Sequence, residues 1–441
     1  AIELGRARVE KPGECILGGA EPFRATGLLQ VVMQAPEETN LRQVGFVFYA
    51  DSPDAREEVL VTLSRLTQRN LICVFGCGGD RDKGKRGLMG AIAGHGSDVL
   101  LVTDDNPRSE SPQEIVAQIV AGVQRSGMAL RPAAWLKGAA AADQGFLVLH
   151  SRAVAIATAI ATAAPQDIVL IAGKGHEQYQ LGQDGKRFFD DALEAGKALT
   201  TWRLASLEQA AGGELIGRTQ GTADLRTVVT DSRQVTAGDI FVALAGDKFD
   251  GHDFLHQVAA AGAGCLVVRE ATPAENLPAL PCLLVQDTQR ALGALAAYRR
   301  QVMKAVSRPL LVAITGSCGK TTVKEMTAAI FEQYWLIQDD VKAAPERVLK
   351  TKGNFNNLIG LPLSLLPINP GHKAVILEMG MNQPGEIARL VGIADPDIAC
   401  IINVHAVHLE GLHTIEGVAR AKEELFAGCS ETTMLLSLIH S

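Results

Sequence analysis

Residues 309–326 read PLLVAITGSCGKTTVKEM, and this stretch decides the fold. The apolar run 310–315 has the length and β-branching of a buried strand. It enters Gly316-Ser317-Cys318-Gly319-Lys320-Thr321-Thr322 directly, and a helical pattern starts at Val323. Strand, glycine-containing turn, Lys-Thr, helix is the order in which backbone N–H groups and a helix N-terminus cradle phosphates while a lysine neutralises their charge. Thr321 is then placed to offer its hydroxyl to Mg²⁺. The generic phosphate loop has a glycine five residues before the Gly-Lys pair; here that position is Ile314, so the loop is the shorter TGxxGKTT form. The bland alternative is a structural turn that happens to carry a lysine.

Two further apolar strands lie downstream. One, at 374–377, ends in Glu378-Met379-Gly380, and the other, at 398–404, runs into His405 and then His408-Leu409-Glu410-Gly411. Open α/β sheets bind ligands outside the carboxyl ends of their strands. A strand-end acid or a lone histidine is commonly structural, but donors on two neighbouring strands beside a phosphate loop point to a metal. Lys422 is the telling residue of the helix 414–427. Val418 lies four before it, Leu425 three after and Phe426 four after, so it shares the apolar face. Either its aliphatic stem snorkels or its ammonium is buried at a cost.

The rest of the chain is organised in the same way. In the first block, strands at 44–49, 70–75, 98–103 and 167–172 alternate with helices at 53–67, 85–95, 111–126 and 151–164, which argues a parallel, doubly wound sheet. Residues 182–202 read as a helix or linker, and 1–43 as an irregular lead-in. A second block has strands at 227–230, 239–243, 265–268 and 282–285, with helices at 253–261 and 288–303. At 441 residues, about three domains of ordinary size are expected. We place them at 44–202, 203–304 and 305–441. The formal charge of -7, from 42 Lys and Arg against 49 Asp and Glu, gives no basic footprint for nucleic acid. No apolar run reaches the roughly 18 to 20 residues of a membrane span. Eight scattered cysteines lack metal or disulfide spacing and suit a reducing, cytoplasmic setting. The chain starts at Ala1 without a secretory signal, and 433–441 reads as an apolar scrap without a partner strand, so a fragment of a longer chain is expected.

Taken together, 315–326, Gly353-Asn354-Phe355-Asn356-Asn357-Leu358-Ile359-Gly360, Glu378-Met379-Gly380, His408-Leu409-Glu410-Gly411 and Ala421-Lys422-Glu423-Glu424-Leu425-Phe426 closely resemble the Mur ligase family of peptidoglycan synthesis. The likeness is to the branch that adds D-alanyl-D-alanine to UDP-N-acetylmuramoyl-tripeptide. Thr230-Asp231-Ser232-Arg233, Phe241-Val242-Ala243-Leu244 and Asp250-Gly251-His252-Asp253-Phe254 resemble the UDP-sugar-binding N-terminal domain of the same branch. The first block resembles another branch. Residues 75–86, Asp104-Asp105-Asn106-Pro107-Arg108 and Ala172-Gly173-Lys174-Gly175-His176-Glu177 look like the C-terminal domain of the ligase that adds meso-diaminopimelate.

The resemblance implies an α/β architecture in three parts: a Rossmann-like C-terminal domain, a small UDP-sugar-binding domain and an incomplete ATP-binding domain. It implies ATP and Mg²⁺, with Gly316, Ser317, Cys318, Gly319, Lys320, Thr321 and Thr322 around the nucleotide. Thr321 and Glu378 are implied at one Mg²⁺, and His408 with a carbamylated Lys422 at a second; Lys320, His408 and Lys422 are the implied catalytic set. Thr230, Asp231, Ser232 and Arg233 are implied at the UDP-sugar, with Asn354, Asn356 and Asn357 orienting substrate or metal. Arg81, Asp105, Asn106, Pro107, Arg108, Gly173 and Glu177 are implied at meso-diaminopimelate, where arginines fork onto carboxylates and Glu177 holds an ammonium. One departure concerns Phe48-Tyr49-Ala50-Asp51-Ser52-Pro53-Asp54, where the family pattern Asp-Tyr-Ala-His-x-Pro-Asp has lost its first Asp and its His. The implied reaction phosphorylates the peptide carboxylate and then forms an amide with D-alanyl-D-alanine, in a fusion of two consecutive ligases. Two alternatives are a folylpolyglutamate-synthase-like ligase and a non-catalytic pseudo-ligase that only binds.

Overall fold

The computed structural model describes residues 8–11, 14–16, 23–24, 29–31, 45–48, 53–137, 143–164, 166–174, 177–217, 225–246, 249–338, 346–406 and 412–437. The chain divides into two compact units, with the boundary between Leu199 and Thr200.

The first unit opens with β1 (Arg8–Lys11), β2 (Glu14–Ile16) and β3 (Phe23–Arg24), a small antiparallel sheet, followed by β4 (Leu29–Val31). The lead-in expected to be irregular thus carries four short strands. Segments of two to four residues are too short to show a period of two.

Alternation then sets in: β5 (Gly45–Phe48), α1 (Pro53–Leu66), β6 (Leu71–Phe75), α2 (Lys83–Gly96), β7 (Val99–Val102), α3 (Pro112–Arg125), β8 (Gly145–Val148), α4 (Arg152–Thr162) and β9 (Ile168–Ala172). A hairpin, β10 (Tyr179–Gly182) with β11 (Gly185–Phe188), and α5 (Asp191–Leu199) occupy the stretch read as helix or linker. The sheet order is β4-β5-β9-β6-β7-β8, parallel except for β4. The order reverses at β9. Residues of α1, α2 and α3 such as Leu60, Met89 and Ile119 share one core with Cys73, Phe75 and Leu100 of the strands. Helix α4 packs on β6, β7 and β9 and against α5. α3 begins as its sequence dictates: Ser111 accepts a hydrogen bond from the Glu114 amide and Pro112 takes the first turn.

The second unit holds two sheets. α6 (Leu204–Ala211), β12 (Glu214–Ile216), β13 (Val228–Val229), β14 (Ile240–Val242), α7 (Leu255–Ala260), β15 (Cys265–Arg269) and β16 (Cys282–Val285) build the first, in order β12-β16-β15-β14-β13. The second is fully parallel. It follows α8 (Thr288–Val306) and comprises β17 (Leu310–Thr315), α9 (Lys320–Gln338), β18 (Val348–Lys350), α10 (Gly360–Leu365), β19 (Ala374–Glu378), α11 (Glu386–Ala394), β20 (Ile398–Ile401), α12 (Ile415–Ala427) and β21 (Met434–Ser437). Its order is β18-β19-β17-β20-β21, so β17 leads into its loop from the centre of the sheet. α8 spans the boundary expected near 304 and packs on β15 as well as on α10 and α11. Its fully buried Arg300 donates to the carbonyls of Ala394, Asp395 and Pro309 and to Asp397.

The tail reading is corrected. Met434 to Ser437 pair in register with Ile398 to Ile401 of β20. Four exposed residues in a row offer no alternation to read as a strand.

Candidate functional site

The phosphate-loop site lies at the carboxyl ends of β17, β19 and β20. Gly319 takes φ +78°, a conformation that favours glycine, and turns the chain into α9. Lys320 folds back so that its ammonium donates to the Gly316 carbonyl at 2.8 Å. Burial lowers its pKa, with Glu378 and Cys318 acting in the opposite sense. The amides of Ser317 and Cys318 are turned onto the Asn403 side-chain oxygen at 3.0 and 3.1 Å. The N–H groups of the first turn of α9, Lys320 to Thr322, have no intrahelical acceptor, as the start of a helix dictates. Asn403 is a residue that sequence reasoning missed. Its signal is position alone, directly beyond the carboxyl end of β20.

Glu378 ends β19 with 1% exposure, and its Oε2 lies 3.4 Å from the Thr321 hydroxyl. Its other carboxylate oxygen, Oε1, is buried and accepts no well-aligned hydrogen bond. A hydroxyl and a carboxylate side by side, with an incompletely satisfied buried oxygen, fit one hard divalent cation that keeps positions for phosphate oxygens and water. Among the described residues no group of three or more His, Cys, Asp and Glu side chains is gathered for a metal. Lys422 lies with Val418, Ala421 and Leu425 on the buried face of α12 and is 3% exposed. Desolvation first, then the charge of Lys320, pulls its pKa down to about 8. His408 and Glu410 lie outside the described residues.

The asparagine run divides. Asn356 gives its carbonyl to the Gly380 amide at 2.8 Å, which places it beside the end of β19. The Asn357 side chain accepts from the amides of Ile359 and Gly360 at 3.1 and 2.8 Å and so caps α10. Asn354 is exposed. In the other sheet of this unit, Thr230, Asp231, Ser232 and Arg233 follow the carboxyl end of β13. The Arg233 guanidinium forks onto Asp231 at 2.9 and 2.7 Å and holds that carboxyl down at about 2.

The first unit contains a cavity of about 210 Å³ where its strand order reverses. Arg81, Asp105, Asn106, Arg108, Gly173 and Glu177 all line it. Pro107 supports it from behind: a Cβ on Gly79 would fall 1.9 Å from the Pro107 carbonyl oxygen, so only glycine allows the two loops to close. Lys174, fully buried, organises the wall. It pairs with Asp105 at 3.0 Å and donates to the Asn106 side-chain oxygen at 2.9 Å and the Tyr179 carbonyl at 2.6 Å. Burial would raise the Asp105 pKa, but Lys174 and Arg152 outweigh it and the net shift is downward. The Asn106 amide donates to Glu177 at 2.8 Å, leaving a fixed carboxylate at the rim. Arg86 also lines the cavity, with its guanidinium bonded to Glu110 at 2.8 and 3.0 Å. The lining also includes residues that the implied set does not name, among them Arg56, 4.0 Å over the Phe75 ring, and Cys77. Residues 49–52, 175 and 176 lie outside the described residues.

Three sequence profiles match without overlap: "Mur ligase, glutamate ligase domain" over residues 33–175, "Mur ligase family, catalytic domain" over 224–300 and "Mur ligase middle domain" over 314–439. The chain belongs to the Mur ligase family. Two different Mur ligases are similar to stretches of it. UDP-N-acetylmuramoyl-tripeptide--D-alanyl-D-alanine ligase of Escherichia coli (strain K12) is 43% identical over 228 residues, covering 52% of this chain and 46% of the relative. UDP-N-acetylmuramoyl-L-alanyl-D-glutamate--2,6-diaminopimelate ligase of Prochlorococcus marinus (strain MIT 9313) is 46% identical over 170 residues, covering 38% of this chain and 30% of the relative. Crystal structure I of MurF from Acinetobacter baumannii matches at 34% identity with a TM-score of 0.47, covering 54% of this chain and 48% of that one. The chain thus spans about half the length, or less, of the Mur ligases it matches.

Proposed function

We propose that the second unit carries the UDP-sugar and ATP domains of a Mur ligase that adds D-alanyl-D-alanine to UDP-N-acetylmuramoyl-tripeptide, and that the first unit is the amino-acid domain of the diaminopimelate-adding ligase fused ahead of it. The observation that carries this reading is the gathering of Lys320, Thr321, Glu378 and a buried Lys422 around the carboxyl ends of one parallel sheet. Lys320 and the first-turn amides of α9 would hold the phosphates of ATP in place. Thr321 and Glu378 would hold Mg²⁺, which when bound neutralises charge on the transferring phosphoryl group. Catalysis in such a site is mainly positioning and charge neutralisation. The peptide carboxylate takes the γ-phosphoryl group, ADP leaves, and the amine of D-alanyl-D-alanine then displaces phosphate to form the amide. Lys422, drawn down to about 8, is a suitable amine to take up CO₂ as a carbamate, and His408 is proposed beside it.

In the first unit, Arg81 and Arg108 would receive the carboxylates of meso-diaminopimelate and Glu177 its ammonium. UDP-linked peptide, D-alanyl-D-alanine and diaminopimelate are the proposed partners, and the cytoplasm the proposed setting. Among the described residues no helix is long and apolar enough to cross a membrane.

The test is ATP turnover with UDP-N-acetylmuramoyl-tripeptide and D-alanyl-D-alanine, on this chain and on one extended by a full Mur ligase C-terminal domain. Dependence of turnover on both substrates supports the reading, and silence of the extended chain sinks it. Binding of the UDP-linked peptide and not of folate separates it from a folate-type ligase. Rescue of Lys422→Ala by short carboxylates would support the carbamate.

A further inference from the structure

A second lysine stands one helical turn beyond Lys320 and does different work. Lys324 is 1% exposed. Its ammonium donates to the Thr351 carbonyl at 2.8 Å and lies 3.0 Å from the Glu325 carboxylate and 3.2 Å from Oε1 of Glu378. One hydrogen-bonded carbonyl and two carboxylates at ion-pair distance surround the ammonium, so its charge is directed inward among these groups. The same three residues tie α9 to the ends of two strands. Glu325 continues outward to Lys350 at 2.8 Å, and the Glu378 amide donates to the Thr351 hydroxyl at 3.0 Å.

The two oxygens of Glu378 therefore have divided duties. Oε1 faces Lys324 and Oε2 faces the Thr321 hydroxyl. A carboxylate at 1% exposure with no counter-charge would be strongly destabilising. A divalent cation could provide that charge, but Lys324 provides it from within the chain.

We propose that Lys324 is the resident counter-ion of Glu378. It balances the charge of the buried carboxylate and holds it aimed at Thr321 when no metal is bound, and by half-neutralising it weakens the site for a bare cation, so that Mg²⁺ binds well only with the added oxygens of a nucleotide. Lys324 is on this account a positioning residue. The proposal rests on the reading of Thr321 and Glu378 as the oxygen ligands of the cation.

Thermal unfolding of the full chain is measured in EDTA, in Mg²⁺ alone and in Mg²⁺ with ATP, for the parent, Lys324→Met and Lys324→Met with Glu378→Gln. Titration with Mn²⁺ alone accompanies it. The expected result is a midpoint about 6 to 12 °C lower for Lys324→Met in EDTA, substantially regained in Mg²⁺ alone. Mn²⁺ should bind this variant about tenfold or more tighter than the parent. The double variant should recover in EDTA and ignore both metals, since the buried charge leaves with its counter-ion. An unshifted Lys324→Met midpoint in EDTA overturns the proposal, as does a lowered midpoint that Mg²⁺ raises no more than in the parent. Should Lys324→Met fail to fold, recovery of folded protein in the double variant supports the proposal, and failure of both overturns it by locating the defect in packing. If the parent itself gains nothing from Mg²⁺ even with ATP, the cation-site reading fails, a result separate from the stability difference in EDTA.

Discussion

The cavity of the first unit and the loop 316–320 of the second are both built at the carboxyl ends of parallel strands, yet they handle charge in different ways. In the cavity wall, Lys174 is matched by Asp105 and Asn106, and Glu177 is anchored by Asn106. The lining sets Arg56, Arg81, Lys85, Arg86 and Arg108 against Asp82, Asp105 and Glu177 and so presents both signs at fixed places, which suits a ligand that is itself a zwitterion. At the loop, Lys320 and Lys422 are both held below their ordinary pKa values by burial, and the charge of Lys320 depresses Lys422 further. That site brings together two ammonium groups that burial disfavours, which suits an anion. One site is finished by folding, and the other is finished by its ligand.

The largest expected effect tests that contrast directly. Lys174→Met removes the partner of a carboxylate that is 8% exposed and should lower stability by about 3 to 5 kcal/mol in urea unfolding. Lys320→Met removes an ammonium from a place where burial already disfavours it. Its urea midpoint should barely move, while ATP affinity, read by isothermal titration, falls about 100-fold or more. Equal stability losses in the two variants would break the comparison.

A smaller effect sharpens it through pH. An unfolded lysine keeps its proton to about pH 10.5, whereas folded Lys422 releases it near 8. Between those values the unfolded state binds more protons, so unfolding free energy should rise with pH across the window and be flat for this group below it. Lys422→Met should remove that rise, measured as urea midpoints from pH 7 to 10.5. An unchanged slope would mean that the Lys422 amine is solvated and unavailable to CO₂ at neutral pH.

How far the sequence could be read follows from the same physics. Buried central strands such as β6, β7, β17 and β19 are nearly continuous apolar runs, and their positions are plain in the chain. Edge strands are not: β18 has three residues and β21 is exposed throughout. Lys320, Thr321 and Glu378 are legible because loop chemistry and strand ends are local. Lys174, Lys324 and Asn403 are absent from the expected site because each is held by a group far off in sequence: Asn106, Thr351 and the Ser317 amide lie 68, 27 and 86 residues away. Only the fold brings those groups together, and a lysine that faces inward looks in sequence like one that faces a ligand. The burial of Lys422 was legible because its neighbours at helical spacing are apolar.

The smallest effect concerns a residue whose family likeness and geometry point apart. Asn357 resembles a substrate-orienting residue, but its side-chain oxygen accepts the amides of Ile359 and Gly360 at the start of α10. Asn357→Ala should cost about 1 kcal/mol of stability, as for the loss of a helix cap. Asn357→Asp keeps an acceptor at the same place and should restore most of it. Nucleotide affinity should stay within about twofold in both, because a capping defect is confined to the first turn of α10. Asn356 supplies the contrast, since a Cβ on Gly380 would come within 2.7 Å of its side-chain oxygen, against the very turn that follows Glu378. If Asn357→Ala lowered nucleotide affinity as much as Asn356→Ala, the loop between β18 and α10 would act as one substrate-facing unit, and the division between capping and binding asparagines would be wrong.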